Sequence, residues 1–152
     1  MKIPRTKLEY SWMYNTLFQK DFDKNNLKKL EKKTKIFRQL YGKNIGAILK
    51  IISKEFISWE EDYIPIFMID KGSVFCDPIT IRYEKNPKIM LIRLFHELIH
   101  RNIIKKKFKN EYLMHKWMDK KMIPLLNKIP TDLTSEVFVL NRMTENWKVK
   151  KK

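Results

Sequence analysis

The segment LIRLFHELIH, residues 91–100, sets His96, Glu97 and His100 into a run that is otherwise apolar except for Arg93. Histidines four residues apart on a helix lie about 40° apart around its axis, so both imidazoles project from one face and can share one metal ion. Glu97, one position further round, can reach a water at that ion without being a ligand, which is the place of a general base. Zinc in such a site lowers the pKa of its water and polarises a carbonyl, so this spacing suits hydrolysis of a peptide bond. The competing reading, a pair of satisfied core histidines, leaves two imidazoles and a carboxylate on a buried helix without a counter-ligand, which is costly.

A catalytic zinc takes three protein ligands and keeps a fourth position for water. The continuation G-x-x-H is absent after His100, where the chain reads HRNIIKKKF. A carboxylate is therefore expected from further on, and Glu111, Glu136 and Glu145 compete. On an unbroken helix Glu111 would lie roughly 16 Å beyond His100 along the axis, too far to share the ion unless the chain breaks sharply near Asn110. On the last helix, Leu133, Val137, Leu140, Met143, Thr144 and Trp147 form one face; Glu136 falls within that stripe and Glu145 opposite it. Glu136 is the expected third ligand. Tyr112 and His115 are candidates for stabilising a tetrahedral oxyanion, with packing as the competing role for each. Cys76 is weighed as a latent ligand and read instead as a small buried hydrophobe.

The elements that must hold these residues can be read in outline. Asn86 caps and Pro87 opens a helix expected to run to about Lys107, with Ile92, Ile99 and Ile103 on one side and Leu91, Leu94, Phe95 and Leu98 on another. Nearly encircled by apolar side chains, it belongs in the core. Before it, IPIFMID and SVFCDPITIRY read as strands of a hairpin or short meander about Lys71-Gly72. Pro78 cannot donate to a ladder, so the strand holding ITIRY is expected to begin after it or to lie at a sheet edge. An open edge can accept an extended peptide as an added strand.

Residues 1–58 read as a mostly helical portion. NNLKKLEKKTKIFRQLYGKN is expected to be one helix capped by Asn25 or Asn26 and ended by Gly42, IGAILKIISKEFISW a second, and KLEYSWMYNTLF a third. After the central helix come a short helix over NEYLMHKWMDKKM, stopped by Pro124, and a last helix over DLTSEVFVLNRMTENW, introduced by Pro130 and capped by Thr131 or Asp132. The expected fold is α+β: a small mixed or antiparallel sheet packed on the central HEXXH helix and a C-terminal glutamate helix, with the helical N-terminal portion beside them. A single domain is expected, with a catalytic core at 59–147 and a basic tail at 148–152.

The chain has 152 residues, 43% of them hydrophobic, and carries a net charge of +16 from 33 Lys and Arg against 17 Asp and Glu. No apolar run approaches the roughly 20 residues of a membrane span, and MKIPRTKLEY lacks the apolar region of a signal peptide. Cys76 is the only cysteine, which rules out an internal disulfide; the expectation is a cytoplasmic protein without membrane contact. The charge favours polyanions such as nucleic acid. Against that, 3 glycines beside abundant Lys and Ile also fit a coding bias toward A and T, and no zinc-knuckle, RRM-type or helix-turn-helix motif supports a nucleic-acid partner.

Over about residues 60–147, a short sheet, the HEXXH helix and a glutamate helix together resemble the gluzincin clan of zinc metallopeptidases, most closely the minigluzincins. That resemblance implies one zinc per chain held by His96, His100 and Glu136, with Glu97 as base and a peptide or protein substrate lying extended along a sheet edge. The motif HEXXH is specific to zincins; S-E-V-F around Glu136 is a weak signature. The longer N-terminal portion departs from the smallest members. Two other readings stay open: a nucleic-acid-associated protein with a structural or DNA-directed proteolytic zinc site, and an inactive zincin-like interaction module.

Overall fold

The computed structural model describes residues 1–149, excluding the side chains of Trp147 and Val149. Its elements run β1 (Arg5–Tyr10), α1 (Trp12–Thr16), α2 (Lys24–Lys33), α3 (Lys35–Glu55), β2 (Tyr63–Ile69), β3 (Phe75–Cys76), β4 (Ile79–Arg82), α4 (Pro87–Asn102), α5 (Glu111–Met122) and α6 (Phe138–Val149). Two 3-10 segments, Ile123–Lys128 and Thr134–Glu136, join α5 to α6. The fold is mixed α+β, built on one four-stranded sheet. Among the described residues no helix is long and apolar enough to cross a membrane.

The strand order is β1-β2-β4-β3, with β1, β2 and β4 parallel and the short β3 antiparallel to β4. The sheet is therefore mixed, and the two long apolar runs are not hairpin partners. They lie side by side in the same direction, with β3 placed on the far edge between them in sequence. β4 does begin immediately after Pro78.

The expected helix over KLEYSWMYNTLF is corrected in its first half. Residues 5–10 form β1, paired with β2 from Arg5↔Tyr63 to Tyr10↔Met68, and only Trp12–Thr16 are helical. Parallel neighbours need a long crossover, and here it is α1 to α3. The helices also divide differently from the expectation. α2 starts at Asp23, whose carboxylate accepts from the Asn26 amide, and it ends at Thr34, whose hydroxyl donates to Leu30 O. α3 then runs unbroken through Gly42 and Gly46 for 21 residues. A glycine inside a helix costs about 1 kcal/mol, and burial of Ile48, Leu49 and Ile52 on the inner face outweighs it.

α4 is the hub. It is capped by Asn86, whose side chain accepts from Lys88 N, and it packs against α3, β3 and β4. Met90, Leu91, Ile92, Leu94, Phe95, Leu98 and Ile99 are all essentially inaccessible, as the helix's apolar circumference requires. It stops at Asn102, about five residues short of the expected end; KKKFKN beyond it is mostly lysine, and its one apolar side chain, Phe108, packs on Trp117 of α5. Asn110 then caps α5 by accepting from Leu113 N, and α5 packs on α4 and α6.

Opposite α4, α1 covers the other face of the sheet: the Tyr14 ring stacks on Phe67 at 4.3 Å, and its hydroxyl meets Thr80 Oγ1 at 2.6 Å. Gly72, in the turn before β3, has φ +121, and a Cβ there would fall 2.7 Å from Phe18 Cδ1. Gly72→Ala is therefore expected to lower the unfolding free energy by roughly 1–3 kcal/mol through strain and displacement of Phe18. Denaturant melts of the two proteins check this; unchanged stability would show that the turn tolerates a side chain.

Candidate metal centre

All 3 histidines of the chain, His96, His100 and His115, converge in one place. One nitrogen from each lies within 4.8 Å of the others, and ring centroids stand 4.6 Å, 5.2 Å and 4.7 Å apart. Tetrahedral coordination at about 2.0–2.1 Å sets ligand nitrogens roughly 3.3 Å apart, so small ring rotations close the set on one ion. The three side chains can hold a metal ion.

Local sequence explains the convergence. His96 and His100 share a face of α4, one turn apart. The turn after Asn102 reverses the chain, and the Asn110 cap starts α5 so that Glu111 and His115, again four apart, face back toward α4. One turn beyond His115, buried Asp119 accepts a hydrogen bond from the Thr144 hydroxyl, tying α6 behind α5.

A cleft of about 500 Å³ opens over this group. Val74, Phe75 and Cys76 form one wall, from the edge strand and the residue before it; Glu97 and His100 form the floor; Glu111, Met114 and His115 stand opposite, with Met143 and Asn146 closing from α6. His96 lies beneath, 1% exposed, and its Nε2 has no hydrogen-bond partner while its Nδ1 faces Glu97 Oε1 at 3.3 Å.

Burial sets the protonation states. It depresses His96 to about 3, reinforced by Arg93, and His100 to about 3, reinforced by His96. It also depresses His115 to about 4, again reinforced by His96. Each imidazole is thus neutral near pH 7, the form that ligates metals. Burial lifts Glu97 to about 7, moderated by His100 and Arg93. The His96–Glu97 contact is accordingly a hydrogen bond between groups that resist charge rather than an ion pair.

Two of the expected ligands, His96 and His100, are brought together with Glu97 beside them. The third member of the group is His115, which the sequence marked only as a candidate for oxyanion stabilisation. Glu136 lies elsewhere. It belongs to the 3-10 turn that precedes α6, and Asn86 Nδ2 donates to its Oε1 at 3.3 Å, at the start of α4. Asn86 is ten residues before His96, roughly 15 Å along the helix. Glu136 does face inward, 7% exposed, as its place on the stripe required, but it sits in a 3-10 turn because regular helix begins only at Phe138. Glu111 does reach the cleft, since the chain breaks as its participation required, yet it stands outside the three-histidine group. Tyr112 faces a separate groove between α5 and α6, lined also by Asp119, Asn141 and Thr144. Cys76 is half-buried at the cleft wall, and burial and the neighbouring Glu97 raise its thiol pKa. The missed signal was a histidine four residues after Glu111 on a helix with its own cap, in a chain with no other histidine to spare.

No family model, curated protein or solved structure matches the chain.

His115→Ala is expected to weaken metal binding by more than about 100-fold, beyond what loss of an outer partner costs, whereas Glu136→Ala should leave it within about threefold of the parent. Metal titration with a competing chelator measures both, and the reverse order would return the third place to Glu136. The metal-free protein should also lose stability on acidification. From pH 6.5 towards 4.5 the unfolded chain takes up protons on three histidines that the folded chain keeps neutral. Glu97 opposes this, holding its proton when folded up to about 7 and releasing it near 4.5 when unfolded. Three groups outweigh one, so more protons are bound on unfolding and stability falls with pH. Melting temperatures between pH 7 and 4.5 should decline, less steeply in His96→Asn; equal slopes would contradict the assignment.

Proposed function

We propose that this chain is a zinc-dependent peptidase that cleaves peptide bonds, with His96, His100 and His115 as metal ligands and Glu97 as general base. The observation that carries the reading is the convergence of every histidine in the chain on one buried point, beside a carboxylate in an open cleft. Three imidazoles with a fourth position left to water is a ligand set used by catalytic zinc. A bound zinc would supply two things there, a lowered pKa for water and polarisation of the scissile carbonyl.

The chain's own residues do the rest. Glu97 takes the proton from the attacking water and returns it to the leaving amine; its affinity for a proton near neutral pH suits both halves of that exchange. The imidazoles, kept neutral by burial, hold the ion without first releasing protons near pH 7. β3 is the outermost strand, paired only to β4, and its residues form a wall of the cleft. A substrate chain can lie extended along that edge, satisfying its backbone as an added strand. Tyr112 and the arginines are not among the residues lining the cleft, and a zinc held there would be available to polarise the carbonyl oxygen. With a third histidine where a glutamate was expected, the reading rests on the HEXXH helix and His115, and the likeness to gluzincins is confined to that helix.

The net charge of +16 favours a second reading, in which the peptidase acts on proteins bound to nucleic acid. Binding to DNA that weakens steeply with salt and persists in Glu97→Gln supports it; salt-insensitive or absent binding removes it.

For the peptidase itself, Glu97→Gln should keep the fold and about one zinc per chain while hydrolysis of an unfolded protein substrate falls by roughly 10²–10⁴. Metal analysis and a cleavage assay on the same preparation decide this, and comparable turnover in the variant would exclude Glu97 as the base.

A further inference from the structure

The edge strand has two faces, and only one looks toward the metal centre. In the register of the sheet Cys76 pairs with Ile79, and Ile79 with Ile66, residues whose side chains are buried toward α4. Phe75 pairs with Thr80, and Thr80 with Phe67, which places Phe67, Thr80 and Phe75 in one row on the opposite face, under α1. Along this row the aromatic rings make a continuous ledge: Phe67 against Tyr14 at 4.3 Å, Tyr14 against Phe18 at 5.6 Å, and Phe18 against Phe75 at 5.9 Å. The ledge ends at the open edge with Phe75 42% exposed, at the mouth of the cleft. α1 and the residue after it add exposed apolar side chains nearby in sequence, Met13 at 64% and Leu17 at 73%.

Resting on the peptidase reading, we propose that this ledge is a substrate subsite, in which Phe75 and Phe18 hold a bulky apolar side chain of the extended chain added to β3. Successive side chains of a strand point to opposite faces. A substrate residue directed toward the cleft is therefore flanked by residues directed over the ledge. The chain is read on alternate positions by different surfaces: the histidine cleft on one side, aromatic rings on the other. The occupant is a polypeptide with large apolar residues at every second position, the pattern of strands that are exposed when a protein unfolds. Continuity of the ledge with the cleft, through the single strand Phe75–Cys76, is what joins the two.

The test separates this from the peptidase reading by using binding without turnover. Two fluorescent synthetic peptides of one composition, Ser-Phe-Ser-Phe-Ser-Phe-Ser and Ser-Ser-Phe-Phe-Phe-Ser-Ser, are titrated with Glu97→Gln protein. The alternating peptide should bind about tenfold tighter or more, on the scale of one well-seated aromatic contact. Adding Phe75→Thr should remove that preference, and Phe75→Leu should retain most of it, with melting curves confirming that both fold. Equal affinities for the two peptides, no binding of either, or a preference that survives Phe75→Thr would each overturn the subsite. Cleavage by the wild-type protein, lost in Glu97→Gln, judges the peptidase reading on its own.

Discussion

Three imidazoles and one carboxylate meet at the floor of a cleft where burial disfavours every charge, and the architecture follows from making that arrangement tolerable. Buried polar atoms need partners. His96 gives Nδ1 to Glu97 and leaves Nε2 without a hydrogen-bond partner. Apolar walls suppress the charged state of all three rings, so they neither repel one another nor require counter-charges at neutral pH. What remains is a group of three neutral imidazoles, one nitrogen of each within 4.8 Å of the others, that a cation can join. α4 supplies two of the rings because it is largely buried; α5 supplies the third because the chain turns back sharply enough after Asn102.

The electrostatics of the cleft run against those of the whole molecule. The chain carries +16, yet the titratable side chains that open into the cleft are Glu97, Glu111, Cys76 and neutral histidines. Lysines 105, 106, 107 and 109 lie in the turn between α4 and α5, outside the cleft lining. Lys106 and Lys121 instead sit over the Trp117 ring, at 5.1 Å and 5.3 Å. A long-range positive field steers anions toward the surface without altering the local preference of the cleft for a cation. The two properties therefore belong to different parts of the molecule, and the charge is no argument against a metal between the helices.

The central helix and its two histidines were legible because they depend on local rules: an Asn-Pro start, an apolar circumference, a four-residue spacing. The third histidine was hidden by a boundary. A helix extended to Lys107 carries everything after it away from the site and points to carboxylates on the last helix, which itself begins at Phe138 rather than Asp132. With regular helix beginning only at Phe138, Glu136 is buried in the 3-10 turn before it, where Asn86 at the start of α4 reaches its carboxylate. β1 was missed for a different reason. Its alternation is short, and what makes it a strand is parallel pairing with β2, more than fifty residues away, which no local window contains.

On the proposed reading, function depends on how little chain separates the cleft from the aromatic row. β3 is only two residues long, and its two side chains answer to different neighbours, Cys76 to α4 and Phe75 to the aromatic row under α1. A longer edge strand would present a wider ladder to any passing chain, with the aggregation hazard that open edges carry. A two-residue edge, closed on one side by Pro78 and on the other by the Gly72 turn, offers only enough backbone to align a partner at the point where the histidines meet the cleft. On the proposed reading, backbone pairing there would set direction and register, and discrimination would be left to side chains on either face. That division needs Phe18 to approach the turn closely, and the absence of a side chain at Gly72 is what permits it.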